Sequence, residues 1–148
     1  LDSLEWGDIE KVINVNLIGT IALTRAVLPL IKERQGRIVT IASLSGEIGN
    51  NQQTNYSASK AGLIGFTKAL ARDVAKYGVS VNAISPGLIN SRMVTSIPEH
   101  LQERMLSIIP QKRFGSPRSV AELVYFLLTN EENYITGQSI KIDGGLSM

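Results

Sequence analysis

Three short runs rich in β-branched residues, with stretches of helical periodicity before and between them, constrain the fold of this chain more than any other feature. Arg37 to Ser43 (RIVTIAS), Val79 to Ile84 (VSVNAI) and Ser139 to Ile142 (SIKI) have the length and residue types of strands. Within Trp6 to Arg34, apolar residues recur at helical spacing (Ile9, Val12, Ile13, Leu17, Ile21, Leu23, Val27, Leu28, Ile31); Pro29 predicts a bend and Gly36 ends the run. A second helix is expected from about Asn55 to Tyr77, closed by Gly78, and an amphipathic stretch from about Glu99 to Ile109 interrupts the loop Leu88 to Pro110. Ser116 and Pro117 form an N-cap and first helical position, followed by an expected buried stripe of Val120, Leu123, Val124, Leu127 and Leu128. Strands joined through helices pair in parallel with right-handed crossovers, so the pattern implies an α/β fold.

Composition removes several function classes. With 43% apolar and 19% charged residues, the 148-residue chain can bury an ordinary core and reads as a single domain, 1–148, of a soluble cytoplasmic protein. Cysteine is absent, and the lone histidine, His100, cannot build a structural zinc site. A net charge of +2 with interleaved signs gives a nucleic-acid role little support, and no unbroken apolar run of about 18 residues suggests a membrane span. The sequon Asn55-Tyr56-Ser57 reads as accidental.

Chemistry concentrates in SLSGEIGNNQQTNYSASK, where Ser43 stands thirteen residues before Tyr56 and Lys60 one helical turn after it. On a helix, positions i and i+4 lie on one face with Cβ atoms about 6 Å apart, so the Lys60 ammonium falls beside the Tyr56 phenol and favours the phenolate. Tyr56 thereby suits proton transfer to or from a carbonyl oxygen. Ser43 ends a strand, and site residues of open parallel sheets lie just outside the carboxyl ends of strands. Gly46 and Gly49 follow that strand in an Asn/Gln-rich segment read as loop, which argues against a phosphate cradle there.

Together these residues resemble the short-chain dehydrogenase/reductase family. Asn16 in INVNLIGT stands at the family's asparagine position, VNAISPGLINS (Val81 to Ser91) resembles the strand and Pro-Gly loop after the catalytic helix, and YITGQ and IDGG resemble the family's C-terminal motifs. Within the family, NYSASKAGLIGFTKALARDVA and PQKRFGSPRSVAELVYFLL look most like the 3-oxoacyl-(acyl-carrier-protein) reductases. The resemblance implies the C-terminal part of a doubly wound, Rossmann-type parallel sheet with flanking helices. The family's glycine-rich Thr-Gly-x-x-x-Gly-x-Gly turn and its Asn-Asn-Ala-Gly strand ending do not occur, so the expectation is the C-terminal portion of a longer enzyme, with the dinucleotide-binding βαβ half absent.

By the same resemblance, the catalytic set is Asn16, Ser43, Tyr56 and Lys60. Ser43 and Tyr56 hydrogen-bond the substrate carbonyl, Tyr56 delivers the proton, Lys60 lowers the tyrosine pKa and holds the nicotinamide ribose, and Asn16 retains a water that links Lys60 to solvent. Cofactor contacts fall on Tyr56, Lys60, Pro86, Gly87, Ile89 and Ser91, with Leu88 in the same loop, and the cofactor is NADPH or NADH. The expected activity is reduction of a 3-oxoacyl thioester on acyl carrier protein or CoA, as in fatty acid biosynthesis. A dehydrogenase of another secondary alcohol is the near alternative, and a catalytically inactive fragment or assembly module the distant one. The small residues Ala58, Ala61, Gly62, Gly65 and Ala69 either pack on the chain's own sheet or line a subunit interface; the resemblance favours a homodimer or homotetramer.

Other features take plainer readings. His100 is expected at the surface, and Trp6, Phe66, Phe114 and Phe126 in the core. Lys32, Arg34 and Arg37 form a basic cluster suited either to an acidic carrier protein or a CoA phosphate, or to a solvated helix end. In the turn after the catalytic helix, Tyr77 stands where carrier-protein reductases often have arginine, with Lys76 beside it. The strand Arg37 to Ser43 is expected to leave an apolar, unblunted edge, a liability for aggregation.

Overall fold

The computed structural model covers residues 1–148, with side chains described for all but Met93 and Thr95. Its centre is a parallel three-stranded sheet in the order β1 (Arg37–Ile41), β2 (Ser80–Pro86), β3 (Ser139–Ile142). The register pairs Ile38 with Val81, Thr40 with Ala83, and Ile84 with Ile140. β2 is central, and every residue in it except Pro86 is buried. β1 is an edge strand whose outer side no other strand covers, and Ile41 at its end is 44% exposed. The expected α/β class and unblunted edge are both present.

Helices flank both faces. The long N-terminal run comprises α1 (Trp6–Ile13), a π turn (Asn14–Ile18) and α2 (Gly19–Glu33). After β1 come α3 (Leu44–Ile48) and α4 (Thr54–Val74), the latter continued by a 3₁₀ turn (Ala75–Tyr77). Gly78 ends that segment at φ 71°, a left-handed conformation that glycine adopts without a Cβ penalty. α4 turns Leu63, Ile64, Leu70, Ala71 and Val74 inward. The main cluster joins Leu70, Ala71, Val74, Val79 and Val81 to Leu28 and Ile31 of α2, Ile38 of β1 and Phe66. Each large aliphatic side chain so buried contributes about 1.5–3 kcal/mol.

The polar residues beneath α4 and at the far end of β2 are paired. The Thr40 and Thr67 hydroxyls meet at 2.7 Å, while the Asn82 amide donates to the Ile135 carbonyl (2.7 Å) and its carbonyl accepts from the Gln138 N–H (3.1 Å). Pairing of this kind removes the cost of burying polar groups. After β2, α5 (Arg92–Thr95) and α6 (Glu99–Ile108) cross the carboxyl end of the sheet, and α7 (Pro117–Thr129) returns against β1 and β2. Ser116 caps α7, its hydroxyl accepting from the Ser119 N–H at 3.1 Å. Arg37 closes the other end of that helix, donating to the Leu128 and Asn130 carbonyls and, at 3.1 Å, to the Asn133 side chain.

Several expectations need correction. The interruption of the long N-terminal helix falls at Asn14–Ile18, and α2 runs on through Pro29. At the π turn the Thr20 hydroxyl donates to the Asn16 carbonyl at 2.8 Å. The segment after β1, read as loop, begins with α3, nucleated by the Ser43 cap. Trp6 lies outside the core at 70% exposure, its indole N–H donating to Glu10, and Phe126 is 48% exposed. Phe66 and Phe114 are half-buried. Of the α7 stripe only Leu127 is buried; Val120, Leu123 and Val124 are half-buried, and Leu128 is exposed beside Tyr125 and Phe126, on the side of α7 that no other element of the chain covers.

The run Trp6–Glu33 is, among the described residues, the one helix long and apolar enough to cross a membrane by length and composition alone. It lies against α4, where Leu17 approaches so closely that a Cβ at Gly62 would stand 2.7 Å from its Cδ2.

Candidate active site

The site forms where β1 and β2 end. Ser43, two residues beyond β1, is extended, and its Oγ accepts from the Ser45 N–H at 3.2 Å, so the hydroxyl is held by the first turn of α3. Ser43, Leu44, Ser45 and Ile48 form one wall of a cavity of about 360 Å³; Pro86, Gly87 and Leu88, at the end of β2, form the facing wall. Met105 and Ile108 of α6, with Leu146, complete an apolar lining. The loop wall is fixed from behind, because the Gly87 N–H donates to the Ile142 carbonyl at 2.9 Å and a Cβ at Gly87 would stand 2.8 Å from that of Asp143.

Tyr56 and Lys60 stand one turn apart near the start of α4. The Lys60 Nζ donates to the Ile41 carbonyl at 2.8 Å, which brings the ammonium to the end of β1, two residues before Ser43. It lies 5.7 Å from the centre of the Tyr56 ring. Burial lowers the Lys60 pKa from its ordinary value of 10.5, since desolvation disfavours the charged form. The Ile41 carbonyl is a partner that motif spacing does not reveal; it becomes available because β1 ends there at an open sheet edge.

Asn16 reaches the same region from the π turn. Its side-chain amide donates to the Ser59 Oγ at 3.1 Å, and that hydroxyl donates to the Tyr56 carbonyl at 2.7 Å. Ser59 is fully buried and was not singled out in the sequence; its place three residues after Tyr56 was the available signal. Asn16 and Lys60 also line one open groove between α2 and β1. Ser91 is at the N-cap position of α5, and Ile89 bridges in parallel to Gly115.

The remaining sequence candidates are placed as follows. Gly46 is not a cradle, because a Cβ there would stand 2.7 Å from the Lys60 carbonyl carbon and the Ala61 nitrogen; the position permits α3 to lie on α4. Arg37 leaves the basic cluster, its guanidinium committed to the end of α7. Lys32 and Lys76 instead flank Tyr77, at 4.6 and 5.2 Å from the ring centre. Ala58, Ala61, Gly65 and Ala69 are exposed along α4, whereas Gly62 faces Leu17. His100 is exposed. No group of three or more metal-ligating side chains occurs among the described residues.

Comparison with known proteins gives this arrangement a context. A family profile described as enoyl-(acyl carrier protein) reductase, of the short-chain dehydrogenase/reductase type, matches residues 1–147. The chain belongs to the short-chain dehydrogenase/reductase family. Among similar relatives, a 3-oxoacyl-[acyl-carrier-protein] reductase of Thermotoga maritima is 49% identical over 140 residues, covering 94% of this chain and 57% of the relative. Nodulation protein G of a Rhizobium species is 43% identical over 142 residues, covering 95% of this chain and 58% of the relative. The crystal structure of a 3-oxoacyl-[acyl-carrier protein] reductase from Brucella melitensis superimposes with a TM-score of 0.95 at 33% identity, over all of this chain and 56% of the other. The chain thus spans a little over half the length of these relatives.

Proposed function

We propose that the protein reduces the keto group of a 3-oxoacyl thioester, carried by acyl carrier protein or CoA, to the 3-hydroxy compound with NADPH, as a soluble cytoplasmic enzyme of fatty acid biosynthesis. The observation that carries this reading is the Lys60 ammonium at the end of β1, two residues before Ser43 and 5.7 Å from the Tyr56 ring centre, with Ser43 itself lining a cavity walled by Leu44, Ile48, Leu88, Met105 and Ile108. The names of the similar relatives support the same reading. An apolar pocket of that volume suits an acyl chain better than a small polar alcohol.

The residues fit the nicotinamide-ribose end of the cofactor. The Lys60 ammonium offers donors to ribose hydroxyls, and Pro86, Gly87, Ile89 and Ser91 offer backbone and hydroxyl groups to the carboxamide. Gly46 offers no cradle for the diphosphate, since its Cβ space is filled by α4. When bound there, the nicotinamide would supply the hydride for reduction of the substrate carbon. The chain's own residues do the rest. The Ser43 hydroxyl and the Tyr56 phenol donate to the carbonyl oxygen where negative charge develops. Tyr56 gives up its proton to that oxygen. Lys60, held by the Ile41 carbonyl, keeps positive charge beside the phenol. Asn16 steadies the Tyr56 turn through Ser59 and shares with Lys60 the open groove through which water returns a proton.

Lys32 and Lys76, on either side of Tyr77, form a cationic patch suited to an acidic carrier protein. The exposed small residues of α4 suit a homo-oligomer, dimer or tetramer. A dehydrogenase of another secondary alcohol remains the near alternative. The test follows nicotinamide oxidation with a 3-oxoacyl thioester against NADPH and NADH, and reduction with a panel of secondary alcohols. Turnover with the thioester and preference for NADPH are expected. Turnover confined to a non-acyl alcohol would transfer the assignment to the dehydrogenase, and absence of both turnover and cofactor binding would leave a catalytically inactive fragment or assembly module.

A further inference from the structure

One carboxylate of α3 has no role in the reaction as described. Glu47 is exposed as a residue, yet its Oε1 accepts from two hydroxyls of the sheet, Ser85 at 2.8 Å and Ser139 at 2.5 Å. Ser85 is fully buried, and the two hydroxyls also meet each other at 3.1 Å. Ser139 pairs in register with Ala83, so these groups lie on the sheet face under α4, next to the strand end that continues into Pro86 and Gly87. A helix of five residues has no stability of its own, so tertiary contacts decide where α3 sits. Gly46 fixes its distance from α4. Glu47 ties it to β2 and β3 through the two hydroxyls.

We propose that Glu47 is a positioning residue, whose carboxylate binds α3 to the carboxyl half of β2 and the start of β3. It thereby holds the Ser43 hydroxyl and the α3 wall of the cavity in register with the facing Pro86-Gly87 wall. Ser43 caps the helix that Glu47 anchors, so movement of α3 moves the hydroxyl that meets the substrate carbonyl. The inference rests on the reductase reading for its catalytic consequence, though not for the anchoring itself.

The experiment uses the protein as its host produces it. Glu47→Ala should lower kcat about tenfold with KM within about twofold, because a displacement near 1 Å at a reacting group is costly to the transition state. Glu47→Gln should recover most of the loss, since its amide oxygen accepts the same two hydroxyls. In a Ser85→Ala/Ser139→Ala background, Glu47→Ala should have little further effect. Amide hydrogen exchange supplies a readout independent of turnover: residues 45–48 should exchange about tenfold faster in Glu47→Ala, with α4 unchanged. Unchanged kcat in Glu47→Ala, or a full additional loss in the double-serine background, overturns the proposal. If the unmodified protein shows no turnover, the reductase reading falls, and exchange alone decides whether Glu47 anchors α3; unaltered exchange would then reject it.

Discussion

Gly46→Ala tests the packing of α3 on α4 most directly. The added Cβ would stand 2.7 Å from both the Lys60 carbonyl carbon and the Ala61 nitrogen, and 2.9 Å from the Lys60 Cβ. Carbon contacts relax to about 3.5 Å, so α3 must withdraw by about 0.8 Å, and the obstructing atoms are mostly helix backbone that cannot rotate aside. Overpacking of this kind costs about 1–3 kcal/mol, which for a chain of this size corresponds to a Tm lower by about 3–10 °C. The same withdrawal carries Ser43 with it, and a shift approaching 1 Å should lower kcat by about tenfold to a hundredfold. Thermal unfolding and steady-state kinetics on one preparation, with a crystal structure of the variant, provide the assay. Equal Tm and kcat, with α3 unmoved in the crystal, would show that the close approach of α3 to α4 is not what places Ser43.

Gly62→Ala provides a contrast: its Cβ would also stand at 2.7 Å, but from the tip of Leu17, which can rotate, so a loss below about 1 kcal/mol is expected in urea unfolding. Tyr56→Phe should reduce turnover a hundredfold or more; near-normal kcat would remove the tyrosine from the proton transfer. Because burial lowers the folded-state pKa of Lys60, folding releases a proton from it in the window between that lowered value and 10.5, and its contribution to stability rises with pH across that window. Lys60→Met should therefore show a smaller alkaline rise than the unmodified protein when urea unfolding is compared through that window, and parallel curves would contradict the burial assignment. Residues 1–148 produced alone should associate through the β1 edge and the exposed α2 face, where Leu23 is 66% exposed; a monodisperse monomer in size-exclusion chromatography would refute this.

The main elements were readable because their periods were unambiguous. β-branched runs gave the three strands, and the stretch from about Asn55 to Tyr77 gave α4, with Gly78 and Ser116-Pro117 as punctuation. The short α3 was not readable, since five residues containing a glycine carry no period, and its start depends on a Ser43 cap that only tertiary contacts sustain. Trp6, Leu128 and Phe126 misled for a related reason: apolar character shows that a residue prefers cover, but not whether this stretch of chain supplies it. The spacing of Ser43, Tyr56 and Lys60 pointed to the carbonyl chemistry proposed above. The Ile41 carbonyl and the Ser59 link to Asn16 stayed hidden, because they join residues 19 and 43 positions apart.

The π turn at Asn14–Ile18 has a mechanical meaning for the long helix. One surplus residue in a helical turn is a phase shift of about 100°. α1 and α2 therefore run along one shaft while presenting faces that do not line up, so that Leu17 meets Gly62 of α4 and, farther along, Leu28 and Ile31 reach the core beneath it. Removing a single residue between positions 14 and 18 would straighten the hydrogen-bond ladder and swing Leu28 and Ile31 out of register with the sheet. Length in this segment is thus more tightly constrained than side-chain identity, and Asn16 rides on the joint that sets the angle.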